Sequence, residues 1–257
     1  MGPAINTIKK ILRRNGVPIR PRQLPDGNFR RHVFTTAYFR EIDTEAKAYW
    51  LGFLCADSHI WRGIRVEIGL AATDRGHLVK LQAAVGSAYQ IIEKEQPPGF
   101  VGGRWFRARS SVRMGLNSKT MVADLARHGV VAGGLRRLFP FHLSPALRRH
   151  YFRGLFDGDG GICPNRVIVR GAALRDQWSM SQCGSHSCVE AFAAFARAET
   201  GTAAQVSENR TSKGLFCFAV HGNKVSARLA HALYSGSTTF LDRKLAKYHE
   251  LISSNPV

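Results

Sequence analysis

The sequence predicts an α+β protein built from two related halves. An apolar run at residues 48–60 recurs at residues 150–162, and every matched pair of positions has the same offset. Each run is followed by segments in which apolar and polar residues alternate, as in half-buried strands, and then by segments with the apolar spacing of helices. Because this order recurs with little identity outside the runs, each half is expected to form one sheet. The halves should be related by a pseudo-two-fold axis.

Small residues lie four positions apart in both runs. Gly52 is followed by Ala56 in the first run, and Gly154 by Gly158 in the second. Residues i and i+4 share one face of a helix. A bare strip of this kind lets two helix backbones approach closely. The two runs are therefore predicted to be helices that pack side by side, and both are too short to span a bilayer.

Each run ends with an acid, Asp57 in the first and Asp159 in the second. A carboxylate in the last turn of a helix faces the negative end of the helix dipole. Packing the helices together adds repulsion between the two charges. Bound cations would relieve both costs, so the pattern favours a metal site over two buried helices with incidental acids. Gly160, after the second acid, suits the C′ position that ends a helix.

The two runs resemble the paired LAGLIDADG motifs of homing endonucleases. The second, Phe152–Gly160, is a close match. The first, Leu51–Asp57, has Cys55 in place of the first acid and is followed by Ser58 in place of the final glycine. Both copies keep the last acid, which is the acid that matters in the family. The resemblance covers roughly residues 42–250.

The resemblance implies two αββαββα halves, a central pair of motif helices, and saddle-shaped antiparallel sheets that lie in the major groove of double-stranded DNA. It implies a monomeric, site-specific endonuclease that hydrolyses phosphodiester bonds with Mg²⁺ or another divalent cation such as Mn²⁺. Asp57 and Asp159 would be catalytic metal ligands. A site of this family also has one basic residue per half near the scissile phosphate. In the second half this residue would be Lys244. In the first half it would be Arg136 or Arg137, with Arg137 as our candidate. In similar sequences lysine is commoner than arginine at this first-half position. The arginine here leaves open whether the two halves cut their DNA strands equally.

Charge and strand patterning independently indicate nucleic acid. The chain has 37 basic and 18 acidic side chains, a formal net charge of +19. Such an excess favours a polyanionic partner over a merely basic soluble protein. Arginines on one face of an alternating strand can read guanine edges and bind phosphates. The candidate DNA-contacting residues are Arg65, Arg107, Arg109, Ser111 and Arg113 in the first half, and Arg166, Arg170, Arg175, Gln177 and Ser179 in the second.

Local signals place the remaining elements of the first half. Asp43 or Thr44 caps the first motif helix, and Ile60–Leu70 alternates like a strand. Thr73 and Asp74 open a helix that Gly86 ends. A short strand at 89–92, a loop at 97–103, a strand at 105–116 and a helix from 117 to about 129 complete the half.

The second half begins after Pro145. Its motif helix is followed by strands near 166–170 and 177–182, a helix at 187–200, strands near 203–207 and 215–220, and helices at 224–234 and 241–252. We assign residues 1–40 to a basic N-terminal helix and arm or linker, 41–129 to the first half, 130–144 to an inter-half linker and 145–257 to the second half. Residues 5–22 are similar to the recognition helix and arm of a helix-turn-helix, with a solvated basic helix as the alternative.

The cysteines and termini suggest an intracellular protein. The five cysteines do not suggest a disulfide framework, and Cys183, His186 and Cys188 do not match the spacing of a closed zinc site. We see no signal peptide or transmembrane segment and expect reduced thiols. The expected location is the cytoplasm in a prokaryotic or phage setting, or an organelle.

Two other functions share this scaffold: a maturase-like RNA-splicing cofactor and a DNA-binding regulator that does not cleave. The presence of both terminal acids favours the enzyme, because a pure binding protein does not need them. Asp157, two residues before the second terminal acid, is expected to be a helix-end or solvent-facing carboxylate.

Overall fold

The computed structural model describes residues 5–17, 33–101, 104–106, 109–169 and 173–255. The chain divides into two compact units, Met1–Val33 and Phe34–Val257. The first unit contains helix α1, Ile5–Arg14. Gly16 follows the helix with a left-handed φ of 66°.

The second unit contains two halves with the same strand order. The first half comprises α2 Glu45–Asp57, β1 Ser58–Trp61, β2 Arg65–Ala71, α3 Arg75–Ala84, β3 Ile92–Gln96, β4 Gly99–Val101, β5 Arg104–Phe106, β6 Arg109–Asn117 and α4 Lys119–Arg127. The second comprises α5 Pro145–Asp159, β7 Gly160–Val169, β8 Ala173–Gly184, α6 His186–Thr200, β9 Ser207–Glu208, β10 Phe216–His221, α7 Asn223–Tyr234 and α8 Asp242–Ser254.

Two four-stranded antiparallel sheets follow from these elements, in the orders β1-β2-β6-β3 and β7-β8-β10-β9. The matching orders confirm the α+β class and the two αββαββα halves. The first half adds the small β4–β5 hairpin, and the second adds α8. Phe34 and Phe39, which precede α2, belong to the core, since both are buried.

The helices α2 and α5 pack side by side between the two halves of the second unit, as predicted. A Cβ on Gly52 would lie 2.0 Å from the carbonyl oxygen of Tyr151, and a Cβ on Gly154 would lie 1.9 Å from that of Tyr49. Neither position can hold a side chain while the backbones stay this close. The helices also approach closely at Ala56 and Gly158. The Ala56 methyl group lies 2.2 Å from the position that a Cβ on Gly158 would take, so it fills the space beside this glycine.

The alternating run at 60–70 contains a hairpin, because Arg62 and Gly63 adopt left-handed φ values of 49° and 67° and reverse the chain between β1 and β2. This agrees with the two strands expected after the first motif helix. Two local predictions are corrected. The strand expected at 89–92 lies at Ile92–Gln96, and the loop expected at 97–103 overlaps the β4–β5 hairpin. Thr44 is the N-cap of α2, since its hydroxyl accepts from the Lys47 amide.

Gly160 follows the last residue of α5, but its role differs from the predicted left-handed C′ glycine. Its φ of −86° and ψ of 165° are extended, and it begins β7 directly. The reason for glycine is space: a Cβ here would lie 2.3 Å from the ring of Phe156 and 2.6 Å from its carbonyl oxygen. A close approach, not a turn, excludes a side chain.

The expectation that all thiols are reduced is wrong for one pair. Cys183 and Cys217 form a disulfide between directly opposed positions of β8 and β10. This pairing depends on strand register, which the spacing of the two residues in the sequence does not reveal. Cys55 and Cys188 remain free and buried, with their sulfurs 3.6 Å apart, and Cys163 is free and exposed. Among the described helices, none combines the length and apolar character required to cross a membrane.

Candidate active site and nucleic-acid interface

An open groove of about 1070 Å³ runs from the end of α2 across the outer face of the first sheet. Asp57 is one of its lining residues, and strands β2 and β6 form its floor. Its charged lining residues are Asp57, Glu67, Asp74, Arg113 and Arg243. The groove therefore joins one of the predicted catalytic acids to one of the predicted DNA-contacting strands.

The packing of α2 against α5 brings the terminal acids together. Asp57 Oδ2 is 3.5 Å from the position of a Cβ on Gly158, the residue before Asp159. Burial, followed by the charge of Asp159, raises the pKa of Asp57 to about 6, although Lys244, Arg243 and Arg137 oppose the shift. Burial also raises the pKa of Asp159, against the charges of Arg137 and Lys244. Both carboxylates remain partly accessible to solvent, but the surrounding protein excludes much of the water around them.

The raised pKa of Asp57 predicts a pH-dependent effect of Asp57→Asn without divalent cations. An unfolded aspartate loses its proton near pH 4, whereas folded Asp57 keeps it to about pH 6. The stability that Asp57 contributes is therefore present below about pH 4 and is lost as the pH rises through about 6. Asp57→Asn should raise the melting temperature at pH 7 in EDTA, and the gain should disappear near pH 4.

Asp43→Asn provides a comparison of opposite sign. The hydrogen bond from Lys47 lowers the pKa of Asp43, so its carboxylate is favoured in the folded state. This substitution should lower the melting temperature at pH 7. A gain for Asp57→Asn that is equal at pH 4 and pH 7 would show that packing, not charge, causes it.

Arg137 lies buried at the carboxyl end of α2. Its guanidinium donates to the carbonyl oxygens of Cys55 (2.5 Å), Ala56 (2.9 Å) and Ser58, to the Ser58 hydroxyl (3.3 Å) and to the Val131 carbonyl (3.4 Å). These five acceptors match the five N–H groups of an arginine. Arg137 thus satisfies carbonyls that the end of a helix leaves without partners.

Lys244 has the corresponding place at the end of α5. Its ammonium donates to the carbonyls of Phe156 and Gly160 (2.6 Å for the latter). Burial lowers the pKa of Lys244 to about 8, although Asp157, Asp57 and Asp159 oppose this. A lysine has three N–H groups, and within the described residues only these two acceptors are present. The two halves therefore place different cations at equivalent helix ends.

Asp157 lies in the last turn of α5, one of the two expected alternatives, but it is not solvent-facing. It is fully buried and accepts hydrogen bonds from Tyr49 Oη (2.6 Å), Tyr234 Oη (2.5 Å) and the amide of Leu241 (2.7 Å). Leu241 is the N-cap of α8, the helix that carries Lys244. Asp157 therefore fixes the start of α8 against α5. Burial raises the pKa of this carboxyl, while Lys244 and the three hydrogen bonds oppose the shift.

The first sheet presents several of the predicted DNA-contacting residues on one face. Val112 and Met114 point into the core, while Ser111 and Arg113 lie on the outer face of β6. Arg65 on β2 donates to Glu67 at 2.9 Å, and Arg113 lies 3.6 Å from the same carboxylate. Arg107 lies outside the described residues. Arg109 lies in β6, but its side chain is not among those that the structure describes.

The structure places only some of the predicted DNA-contacting residues of the second half on the outer face of the second sheet. Gln177 and Ser179 are half-buried there, and Asn165 donates to the Ser179 hydroxyl at 2.6 Å. Arg166 is strongly exposed and pairs with Asp176 at 3.3 Å, but both alternate with the outer-face positions and lie on the face of Trp178, so Arg166 does not share a face with Gln177 and Ser179. Arg170 lies outside the described residues, and the side chain of Arg175 is likewise not described.

Sequence reasoning missed one cationic residue of the groove. Arg243 precedes Lys244, and its guanidinium lines the groove that contains Asp57. Asp74 accepts from Arg243 Nε at 3.0 Å. The pair joins α8 of the second half to the start of α3 in the first, a contact that only the packed fold reveals. The available signal was position: Arg243 lies in the same basic segment as Lys244.

The acid pair fits a divalent cation. The pKa values of two adjacent carboxylates are raised, so a bound cation would be electrostatically favourable there. In the part of the chain that the structure describes, no three His, Cys, Asp or Glu side chains group as ligands. Mg²⁺ characteristically takes one or two carboxylates and fills its other positions with water and phosphate oxygens. Two aspartates beside an open groove meet that requirement.

Comparison with known proteins gives structural matches without sequence matches. No protein-family model matches the chain, and no curated protein matches it. The LAGLIDADG homing endonuclease I-LtrWI, bound to target DNA, superposes with a TM-score of 0.53 at 8% identity, covering 86% of this chain and 92% of that one. The LAGLIDADG homing endonuclease I-SmaMI, bound to cleaved DNA, gives 0.52 at 9%, covering 82% and 88%.

This chain has the two-repeat LAGLIDADG fold. I-SmaMI bound to uncleaved target in the presence of calcium ions also matches, with a TM-score of 0.50 at 9% identity and coverage of 83% and 92%. Identities this low establish the fold and not the activity. Within the LAGLIDADG fold, Asp57 and Asp159 end the two motif helices, and the groove-facing sheet carries Arg65 and Arg113.

Proposed function

We propose that this protein is a monomeric, site-specific endonuclease that hydrolyses phosphodiester bonds of double-stranded DNA, as a homing endonuclease does. The observation that carries the proposal is the pair Asp57 and Asp159 at the ends of packed helices, beside a groove floored by an arginine-bearing sheet. The net charge of +19 supports a DNA partner. The structural neighbours bound to target and cleaved DNA support the same reading.

Asp57 and Asp159 would hold the divalent cation, Mg²⁺ or Mn²⁺. When bound, such a cation supplies activated water and stabilises negative charge on phosphate oxygens. In the reaction, a water oxygen forms a new bond to phosphorus and one P–O ester bond breaks. The water gives up one proton, and the leaving oxygen takes one. Lys244 and Arg137 hold the ends of the motif helices in place, so the two carboxylates keep their mutual position.

The outer face of the first sheet would contact the DNA major groove. Arg113 and Arg65 are presented on neighbouring strands; Glu67 accepts a hydrogen bond from Arg65 at 2.9 Å and lies 3.6 Å from Arg113. An oriented arginine can bind a guanine edge bidentately or a phosphate. Ser111, on the same face, can donate to or accept from a base edge or phosphate.

Arg113→Ala should weaken binding of the target duplex. If Arg113 reads a guanine, the loss should be about 1–3 kcal/mol and should relax specificity at one base pair. If it binds phosphate, all sequences should bind more weakly and the salt dependence should shrink. Fluorescence anisotropy across a salt series distinguishes the two cases. Binding equal to wild type at every salt concentration would remove this face from the interface.

The direct test of function is incubation with Mg²⁺ and a randomised duplex library, followed by sequencing of the new DNA ends. We expect ends clustered at one sequence, and none in EDTA. Sequence-specific binding without ends in either condition would favour the binding-only alternatives, a DNA-binding regulator or a maturase-like protein.

A further inference from the structure

The β4–β5 hairpin carries two exposed aromatic side chains near its tip. Phe100 and Trp105 lie directly opposite each other, with their ring centroids 5.9 Å apart in an edge-on arrangement. Phe100 is 61% exposed and Trp105 is 76% exposed. Scattered apolar residues are normal on a protein surface, whereas contiguous apolar patches mark interaction sites. The aromatic pair is therefore a candidate interaction site.

The hairpin extends the outer face of the first sheet. Lys94 on β3 lies opposite Ser111 on β6, and directly opposed residues of antiparallel strands share one face. This pair and the aromatic pair are separated by six residues on each strand. Because side chains alternate between the two faces with a period of two, an even separation returns to the same face. Phe100 and Trp105 therefore occupy the face to which Ser111 belongs.

This face continues from the groove beside Asp57 to the aromatic pair. Ser111 and Arg113 line the groove. At about 3.3 Å per residue, the six residues from Ser111 to Trp105 span about 20 Å, which corresponds to about six base pairs of B-DNA. Residues 104–113 contain four arginines and no acid, so this strand has the charge that favours a polyanion along its whole length.

Strand β3 has features that oppose pairing with another protein chain. It is at the edge of its sheet, and Glu93, Lys94 and Glu95 on it are exposed. Pro97 and Pro98 follow directly, and proline has no N–H to offer to an added strand. Charges and prolines are the means by which edge strands avoid edge-to-edge association. DNA on the adjoining face therefore suits the aromatic pair better than a second copy of the chain does.

We propose that Phe100 and Trp105 form an apolar contact with double-stranded DNA in the flank of the target, beyond the base pairs that the arginine-bearing face contacts. This inference rests on the proposed function, which supplies DNA on the outer face of the first sheet. The rings pack against deoxyribose and base surfaces. A phosphate contact releases counterions, whereas an apolar contact does not. The pair therefore adds affinity that is independent of salt and dependent on the length of the duplex.

The test combines a protein variant with a shortened duplex. The double variant Phe100→Thr, Trp105→Thr removes both rings but keeps a residue type that favours strands. In EDTA, on a duplex selected by binding, anisotropy should show roughly 10- to 100-fold weaker binding than wild type with an unchanged salt slope. Stepwise shortening of one duplex end should weaken wild type by the same factor. It should change the double variant little, because the rings and their DNA flank act as one unit.

Phe141→Thr is the matched control. Phe141 is 71% exposed and packs edge-on against Phe139 at 5.0 Å, much as the hairpin aromatics pack, but it does not line the groove. This variant should bind the full-length and shortened duplexes as wild type does. Trp105→Tyr keeps an aromatic ring and should bind the full-length duplex more tightly than Trp105→Thr.

The outcomes separate the inference from the function on which it rests. Equal affinity of the double variant and wild type, an equal effect of shortening on both, or a reduced salt slope in the double variant would overturn the inference and leave the endonuclease proposal standing. Sedimentation of DNA-free wild type as a dimer that the double variant does not form would also overturn it, in favour of a second copy as the partner. Length-dependent binding by wild type without any cleavage in Mg²⁺ would overturn the endonuclease proposal alone. Absence of specific DNA binding by wild type would overturn both.

Discussion

Gly154→Ala should prevent the two halves from packing in their native arrangement. The new methyl would lie 1.9 Å from the carbonyl oxygen of Tyr49 and 2.8 Å from the amide nitrogen of Phe53. Both atoms belong to the backbone of α2, so no side-chain rotation can relieve the clash. The helices must separate along the whole interface, and we expect a loss of about 3 kcal/mol or more in the free energy of unfolding. Urea denaturation followed by circular dichroism measures it.

Gly76→Ala is the matched control for this substitution. Gly76 also lies inside a helix, α3, but a Cβ there would meet nothing within 4 Å. Because alanine favours helix over glycine by about 1 kcal/mol, this variant should be as stable as wild type or more stable. Equal losses in Gly154→Ala and Gly76→Ala would show that close approach of α2 and α5 does not hold the halves together.

The sequence allowed prediction of the features that depend on local periodicity. Gly52, Ala56, Gly154 and Gly158 predicted the central helix pair, because a four-residue spacing of small residues fixes one helix face. Alternation placed Ser111 and Arg113 on the outer face of β6, and this was confirmed. Thr44, one of the two residues expected to cap α2, is its N-cap. In each case, the prediction depends only on residues that are close together in the sequence.

The features that were missed depend on contacts between distant parts of the chain. Asp157 is buried because Tyr49 and Tyr234, from the other motif helix and from α7, enclose it. The disulfide of Cys183 required the register of β8 against β10. The pairing of Arg243 with Asp74 required the docking of α8 against the first half. No spacing within one segment specifies these contacts.

Asp57→Asn and Asp159→Asn should each abolish or severely slow double-strand cleavage while leaving specific DNA binding intact. Asparagine keeps the volume of aspartate but lacks the charge that would hold the divalent cation. Loss of several kcal/mol of transition-state stabilisation corresponds to a rate reduction of roughly 1,000-fold or more. If each acid serves one strand, each variant should leave nicked DNA. If the acids share a cation, both strands should slow in either variant.

Binding should survive because both acids lie at the helix ends and not on the arginine-bearing sheet face. Removal of one of two repelling charges should, if anything, favour approach of the DNA phosphates. Anisotropy in Ca²⁺ or EDTA with the selected duplex measures this binding. A large loss of affinity in either variant would instead indicate that the acids contribute to the shape of the groove.

The most direct test of the central claim compares wild type with the Asp57→Asn, Asp159→Asn double variant on the selected duplex in Mg²⁺. Product strands are quantified over time under conditions in which both proteins bind the DNA fully. We predict complete cleavage by wild type and no product above the EDTA background from the double variant. Undiminished cleavage by the double variant would contradict the assignment of these two aspartates as the catalytic pair.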